Sequence, residues 1–132
     1  MDNTASEFLT FAESLADAAR EILLAAMPND RSVSIKPDAS YVTETDLAIE
    51  TRMREMIDSR YPDHGVLGEE HGSRDLDAEF VWVLDPIDGT APFVAGIPVF
   101  GTLIGLARAG RPYLGVIDHP ASDDRWTGVS GD

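Results

Sequence analysis

The chain has 132 residues, with ten Lys and Arg against twenty-four Asp and Glu, a formal net charge of -14, hydrophobic residues at 43% and no cysteine. That length fits one compact domain with a sizeable core, and the apolar fraction excludes general disorder. The negative balance disfavours nucleic acid and anionic membrane surfaces, which are bound chiefly through Lys and Arg, while the absence of Cys excludes disulfide frameworks, thiolate metal sites and cysteine nucleophiles. No basic leader opens the chain and no apolar run approaches the roughly 18 residues of a membrane span, so a cytoplasmic location is expected.

Across residues 8–27, Phe8, Phe11, Ala12, Leu15, Ala18, Ala19, Ile22, Leu23 and Ala26 recur at three- and four-residue steps and predict an amphipathic helix. Thr4 with Glu7 three residues on predicts a capping box at its start, and Pro28-Asn29-Asp30 a stop. Val33 and Ile35 alternate with Ser32, Ser34 and Lys36, which predicts a short strand ending at a Pro37-Asp38 turn. A second helix is expected from near Thr43 to about Arg60, with Leu47, Ala48, Met53, Met56 and Ile57 facing inward and Asp46 in its first turn, before Tyr61-Pro62-Asp63 breaks it. Val66-Leu67 and residues 80–84 read as strands, the second of them central in a sheet, separated by a polar surface loop or hairpin connection over residues 73–79. Residues 93–97 fit no single element. Residues 100–108 and 113–118 form two antiparallel strands around Ala109-Gly110-Arg111-Pro112, and residues 125–129 have the pattern of a further strand. The order predicts an α+β fold, helices packed on a largely antiparallel sheet.

The chemistry concentrates in Gly68-Glu69-Glu70 and in Trp82-Val83-Leu84-Asp85-Pro86-Ile87-Asp88-Gly89-Thr90. A buried strand that ends in Asp85, with Asp88 three residues later across a Pro-constrained turn, aims two carboxylates into one small volume, which is costly without a cation. Hard divalent ions such as Mg²⁺ take oxygen ligands, so Glu69, Asp85, Asp88 and the Ile87 carbonyl are candidate ligands; ions held there would polarise a phosphoryl oxygen and lower the pKa of a bound water. Gly89 permits close backbone approach, and its N–H with that of Thr90 is a candidate phosphate contact. Taken alone, Asp-Pro and Asp-Gly are ordinary turn dipeptides and Glu69-Glu70 a solvated strand end, so the decision falls to geometry. His64, His71 and His119 each stand beside turn residues and read as surface loop positions; Trp82 reads as core, and Lys36 as either a charge offset or a solvated strand end.

These two segments, with Phe93 following, resemble the signature of the inositol monophosphatase superfamily of Mg²⁺-dependent, lithium-sensitive phosphatases. Thr43-Glu44-Thr45-Asp46 is similar to the family's T-x-x-D at the start of its second helix, and Lys36-Pro37-Asp38 adds to the likeness. The resemblance implies the N-terminal domain of the fold shared by inositol monophosphatases and fructose-1,6-bisphosphatases. It implies Mg²⁺ as cofactor, with Glu69, Asp85, Asp88 and the Ile87 carbonyl as its ligands. Asp46 and Thr90 become the pair that orients and deprotonates a metal-activated water, and Gly89 and Thr90 the amides on the phosphate.

Within the superfamily, residues 98–106 and 110–120 look most like the bacterial histidinol-phosphatase branch, which implies a phosphomonoester hydrolase of histidine biosynthesis acting on a small phosphorylated metabolite. An inositol phosphate, or a related sugar or nucleotide phosphate, is the alternative. Family members usually continue into a second, α/β domain that supplies a further ligating Asp in a W-x-x-D type motif, and nothing in this sequence matches it. Residues 1–132 are therefore expected to be the N-terminal metal-binding half, weakly active or inactive alone, and to associate as a homodimer or with a complementary half. The rival expectation is a non-catalytic half-protein that binds metal or needs such a partner chain.

Overall fold

Helix α1 (Asn3–Ala26) turns Ala5, Phe8, Ala12, Leu15, Ala16, Ala19 and Leu23 into the core, the stripe that its three- and four-residue spacing demands. In this computed structural model, which describes residues 2–27, 33–35 and 41–131, the N-cap of α1 is Asp2, whose carboxylate accepts the Ala5 N–H at 2.7 Å. Thr4, expected as the cap, lies inside the first turn, because a better capping acid stands two residues upstream. The predicted stop at Pro28-Asn29-Asp30 and the segment Lys36-Pro37-Asp38 lie outside the described residues.

Strand β1 (Val33–Ile35) pairs antiparallel with β2 (Tyr41–Thr43), and helix α2 (Glu44–Arg60) follows β2 directly. Thr43 is its N-cap in a full capping box with Asp46. The buried face of α2 consists of Thr45, Asp46, Ile49, Glu50, Met53 and Ile57, whereas Leu47 and Ala48 face solvent. The expected inner face is thus rotated: two carboxylates occupy positions that an apolar template reserves for hydrophobic side chains.

The main sheet has the order β4-β3-β5-β6-β7-β8. Its strands are β3 (Gly65–Gly68), β4 (Gly72–Arg74), β5 (Phe80–Asp88), β6 (Gly101–Arg108), β7 (Arg111–His119) and β8 (Asp124–Val129). Every neighbouring pair is antiparallel except β3 and β5, which run parallel. Part of the expected polar loop is strand β4, and residues 93–97 overlap the short helix α3 (Thr90–Ala95). The β6–β7 hairpin turns at Ala109 and Gly110, both at positive φ.

Helices α1 and α2 cover one face of the sheet, where Trp82, Leu84, Ile104, Leu106, Leu114 and Val116 meet the stripe of α1. The opposite face exposes Val83, Ile117 and Trp126 and carries a shallow groove of about 550 Å³ over β5 to β8, with Asp85 at its lining. Trp82 is wholly buried, and its indole N–H donates to His64 Nδ1 at 3.0 Å. His64 also stacks on Tyr61 at 4.6 Å between ring centres, which makes it part of an aromatic cluster and not the surface position expected of it. His71 is exposed, and His119 packs edge-on against Trp126.

Candidate active site

Parallel pairing of β3 with β5 puts the carboxyl ends of both strands at one sheet edge. Gly68 stands level with Leu84, and the Glu69 N–H donates to the Leu84 carbonyl at 3.3 Å, so Glu69 enters beside Asp85. Past Asp85 the β5–β6 ladder is irregular: Asp85 faces Leu103 but Asp88 faces Gly101, three residues on one strand against two on the other. Pro86, which has no N–H to donate, sits in that bulge, and its carbonyl accepts the Thr102 hydroxyl at 2.8 Å. Gly89 then takes φ 91°, a left-handed value that favours glycine, and starts α3.

Asp46 reaches the same place from the first turn of α2. Its Oδ2 accepts the Thr43 N–H at 2.9 Å and the Thr43 hydroxyl at 2.6 Å. Its Oδ1 accepts from Thr90 Oγ1 at 3.1 Å, and the Ile87 carbonyl is a second acceptor for that hydroxyl at 3.2 Å. Asp46, 1% exposed, is therefore both the reciprocal member of a helix cap and the partner of Thr90.

Asp85 carries the electrostatic signature of the site. Burial, followed by the charges of Glu69, Asp88, Asp46 and Glu70, pushes its carboxyl up to about 7. Its Oδ1 is buried without a hydrogen-bond partner. Among the described residues no three His, Asp or Glu side chains are gathered into a ready metal cage; the carboxylates converge in their fields on Asp85 more than in their oxygen positions. An orphaned buried carboxylate oxygen within a set of four further carboxylates nonetheless fits a hard divalent cation, which takes oxygen donors and relieves like-charge repulsion.

Reading the sequence for acidic strand ends missed Glu50. It lies four residues after Asp46, one turn along the same buried face of α2, and is fully buried. The i, i+4 spacing of two acids on the helix face that also carries Ile49, Met53 and Ile57 was the available signal.

The chain belongs to the inositol monophosphatase family, whose sequence model matches residues 4–132. It is 42% identical over 132 residues to the bifunctional phosphatase IMPL2, chloroplastic, of Arabidopsis thaliana, covering 98% of this chain and 38% of that protein. It is 40% identical over 124 residues to a histidinol-phosphatase of Mycobacterium tuberculosis, covering 93% of this chain and 48% of the relative. An inositol monophosphatase structure from Zymomonas mobilis superposes with a TM-score of 0.80 at 38% identity, covering 98% of this chain and 50% of that one. The chain thus spans about half the length, or less, of these relatives.

Proposed function

We propose that residues 1–132 form the metal-binding half of a Mg²⁺-dependent phosphomonoester hydrolase, with Glu69, Asp85, Asp88 and the Ile87 carbonyl as the cation's ligands. The observation that carries this reading is the Thr90 hydroxyl donating to buried Asp46 at 3.1 Å, in a site where Asp46 is among the charges acting on Asp85. A bound Mg²⁺ supplies positive charge that offsets the phosphate and lowers the pKa of a coordinated water. Thr90 Oγ1 orients the attacking water by accepting its proton while passing its own to Asp46 Oδ1. The N–H groups of Gly89 and Thr90, at the start of α3, hold phosphate oxygens. Such chemistry is largely positioning and charge neutralisation, which explains how an acidic chain handles an anionic substrate.

Histidinol phosphate ranks first as substrate, supported by residues 98–106 and 110–120 and by 40% identity to the Mycobacterium tuberculosis enzyme; inositol phosphate is second, supported by the Zymomonas mobilis likeness. Among the described residues no helix is long and apolar enough to cross a membrane, and a cytoplasmic setting belongs to this proposal. The exposed apolar face around Val83, Ile117 and Trp126 supports the further reading that the chain works with a second copy or a complementary half. A phosphate-release screen with Mg²⁺ across histidinol phosphate, inositol 1-phosphate, fructose 1,6-bisphosphate and a 3′-phosphonucleotide tests the function. Release from none of them, with or without a C-terminal half of a relative supplied in trans, favours the non-catalytic reading.

A further inference from the structure

Glu50 is a carboxylate with no route to solvent, and burying such a group is costly unless its oxygens are hydrogen-bonded. Its partners are all in one place. Oε1 accepts the Glu70 N–H at 2.8 Å, and Oε2 accepts the His71 N–H at 2.7 Å. Arg54, one turn further along α2, donates from Nε to Oε2 at 3.1 Å and from its other end to the Gly72 carbonyl. The ring of His71 lies against the same helix, its Nε2 3.1 Å from Thr51 Oγ1 and 3.2 Å from the Leu47 carbonyl. A Cβ at Gly68 would stand 2.4 Å from the Glu50 carboxylate, so the chain before the turn is packed directly on it. The turn that carries Glu69 is therefore fastened to α2 on both sides of that residue: by contact at Gly68, and by hydrogen bonds at Glu70, His71 and Gly72.

One turn earlier on the same helix, Asp46 holds Thr90. Helix α2 thus sets the distance between the two halves of the site, the Glu69 turn and the start of α3, through two buried carboxylates four residues apart. We infer that Glu50 is a positioning residue for the cation site: it fixes the backbone from which Glu69 reaches Asp85, and so tunes metal affinity without touching the metal. This inference rests on the metal-binding reading proposed above. Groups that orient ligands in this way change metal affinity by about 10–100-fold when removed.

The test is Mn²⁺ binding to the purified chain, followed by electron paramagnetic resonance of the free ion, for wild type, Glu50→Gln and Asp85→Asn, with amide hydrogen exchange in chelator alongside. Glutamine keeps the volume but offers one acceptor oxygen to two N–H groups. The expected result for Glu50→Gln is a Kd for Mn²⁺ raised about 10–100-fold, with faster exchange at the Glu70 and His71 amides and unchanged exchange in β6. Faster exchange at those amides with an unchanged Kd would make Glu50 a structural support only and overturn the inference. A wild-type chain that takes up no Mn²⁺ would remove the metal-binding reading and the inference together, an outcome distinct from a wild type that binds and a variant that binds equally well. If Glu50→Gln does not fold, Arg54→Gln decides: it keeps both amide bonds to Glu50 but removes the guanidinium from Oε2 and from the Gly72 carbonyl, and it should weaken Mn²⁺ binding in the same direction; an unchanged Kd there overturns the inference.

Discussion

Asp46 serves a helix cap with one oxygen and Thr90 with the other, and replacing it by Asn separates the two roles. The carboxylate accepts three hydrogen bonds, two from Thr43 on Oδ2 and one from Thr90 on Oδ1. Asparagine has one acceptor oxygen, and Thr43 claims it, because the opposite orientation would face the side-chain NH₂ against the buried Thr43 N–H. The NH₂ then points at Thr90 Oγ1, whose own proton turns to the Ile87 carbonyl, 3.2 Å away. In stability the change converts charge-assisted bonds at the cap into neutral ones, a loss of about 1–2 kcal/mol. Thr43→Ala makes a matched control: it removes the hydroxyl that accepts the Asp46 N–H at 3.2 Å, costing about 1 kcal/mol, yet leaves Asp46 bonded to Thr90. Both variants should therefore unfold a few degrees earlier. Their activities should part, since loss of a general base costs about 10²–10⁴-fold in kcat while Thr43→Ala should stay within about tenfold of wild type. The assay is Mg²⁺-dependent phosphate release beside thermal unfolding, run with a C-terminal half from a family relative if the chain alone gives no turnover. Equal loss of kcat in the two variants, or an Asp46→Asn protein within tenfold of wild type, would refute the proton-transfer role and leave a cap.

Mg²⁺ should raise the unfolding temperature, with about 2.7 kcal/mol of stabilisation at a hundredfold excess over Kd, and Asp85→Asn should abolish that rise; calorimetry across a Mg²⁺ titration decides it. Without metal, Asp85 titrates near 7 when folded and near 4 when unfolded, so its contribution to stability is complete below about pH 4 and is lost as pH rises towards 7. Urea midpoints in chelator should accordingly show wild type losing ground to Asp85→Asn between about pH 4 and 7, with parallel curves counting against it. His64 behaves in the opposite sense: burial holds its ring below the ordinary value, so the stability tied to the Trp82–His64 hydrogen bond is present above about pH 6.5 and fades as pH falls below it. Trp82 fluorescence should report that acid transition, and His64→Gln should remove it. Asp118, buried between Arg20 and Arg125 at 2.7 and 2.8 Å, should cost about 3–5 kcal/mol when replaced by Ala, measured by urea unfolding.

Local patterns made most of the elements legible. The spacing of Phe8, Ala12, Leu15, Ala19 and Leu23 placed α1, and the helix expected from near Thr43 is α2, with Thr43 as its N-cap. The inner face of α2 was misread because Asp46 and Glu50 are buried as hydrogen-bonded acids, and hydrophobic periodicity does not register a polar group whose partners include Thr90 and the turn at Glu70 and His71, far along the chain. His64 was misread for the same reason: only the tertiary fold brings Phe8, Tyr61 and Phe80 around it and the Trp82 N–H onto its Nδ1.

The acidic segments were visible as chemistry, but what joins them is the pairing of β3 with β5, and no short-range signal says that this one pair runs parallel. Had β3 paired antiparallel, its carboxyl end would lie at the far edge of the sheet and Glu69 could not act on Asp85. The alternation along β5 sets the other coordinate. Trp82 and Leu84 turn into the core, so Val83 and Asp85 share the outer face, and Asp85 lies at the lining of the groove. Its unusual titration follows from that position: buried enough for desolvation to act, and close enough to Glu69, Asp88 and Asp46 for their charges to add. Sheet pairing, strand alternation and the two acids of α2 thus combine in one place, and the folding energy of the sheet and helix holds together carboxylates that repel one another.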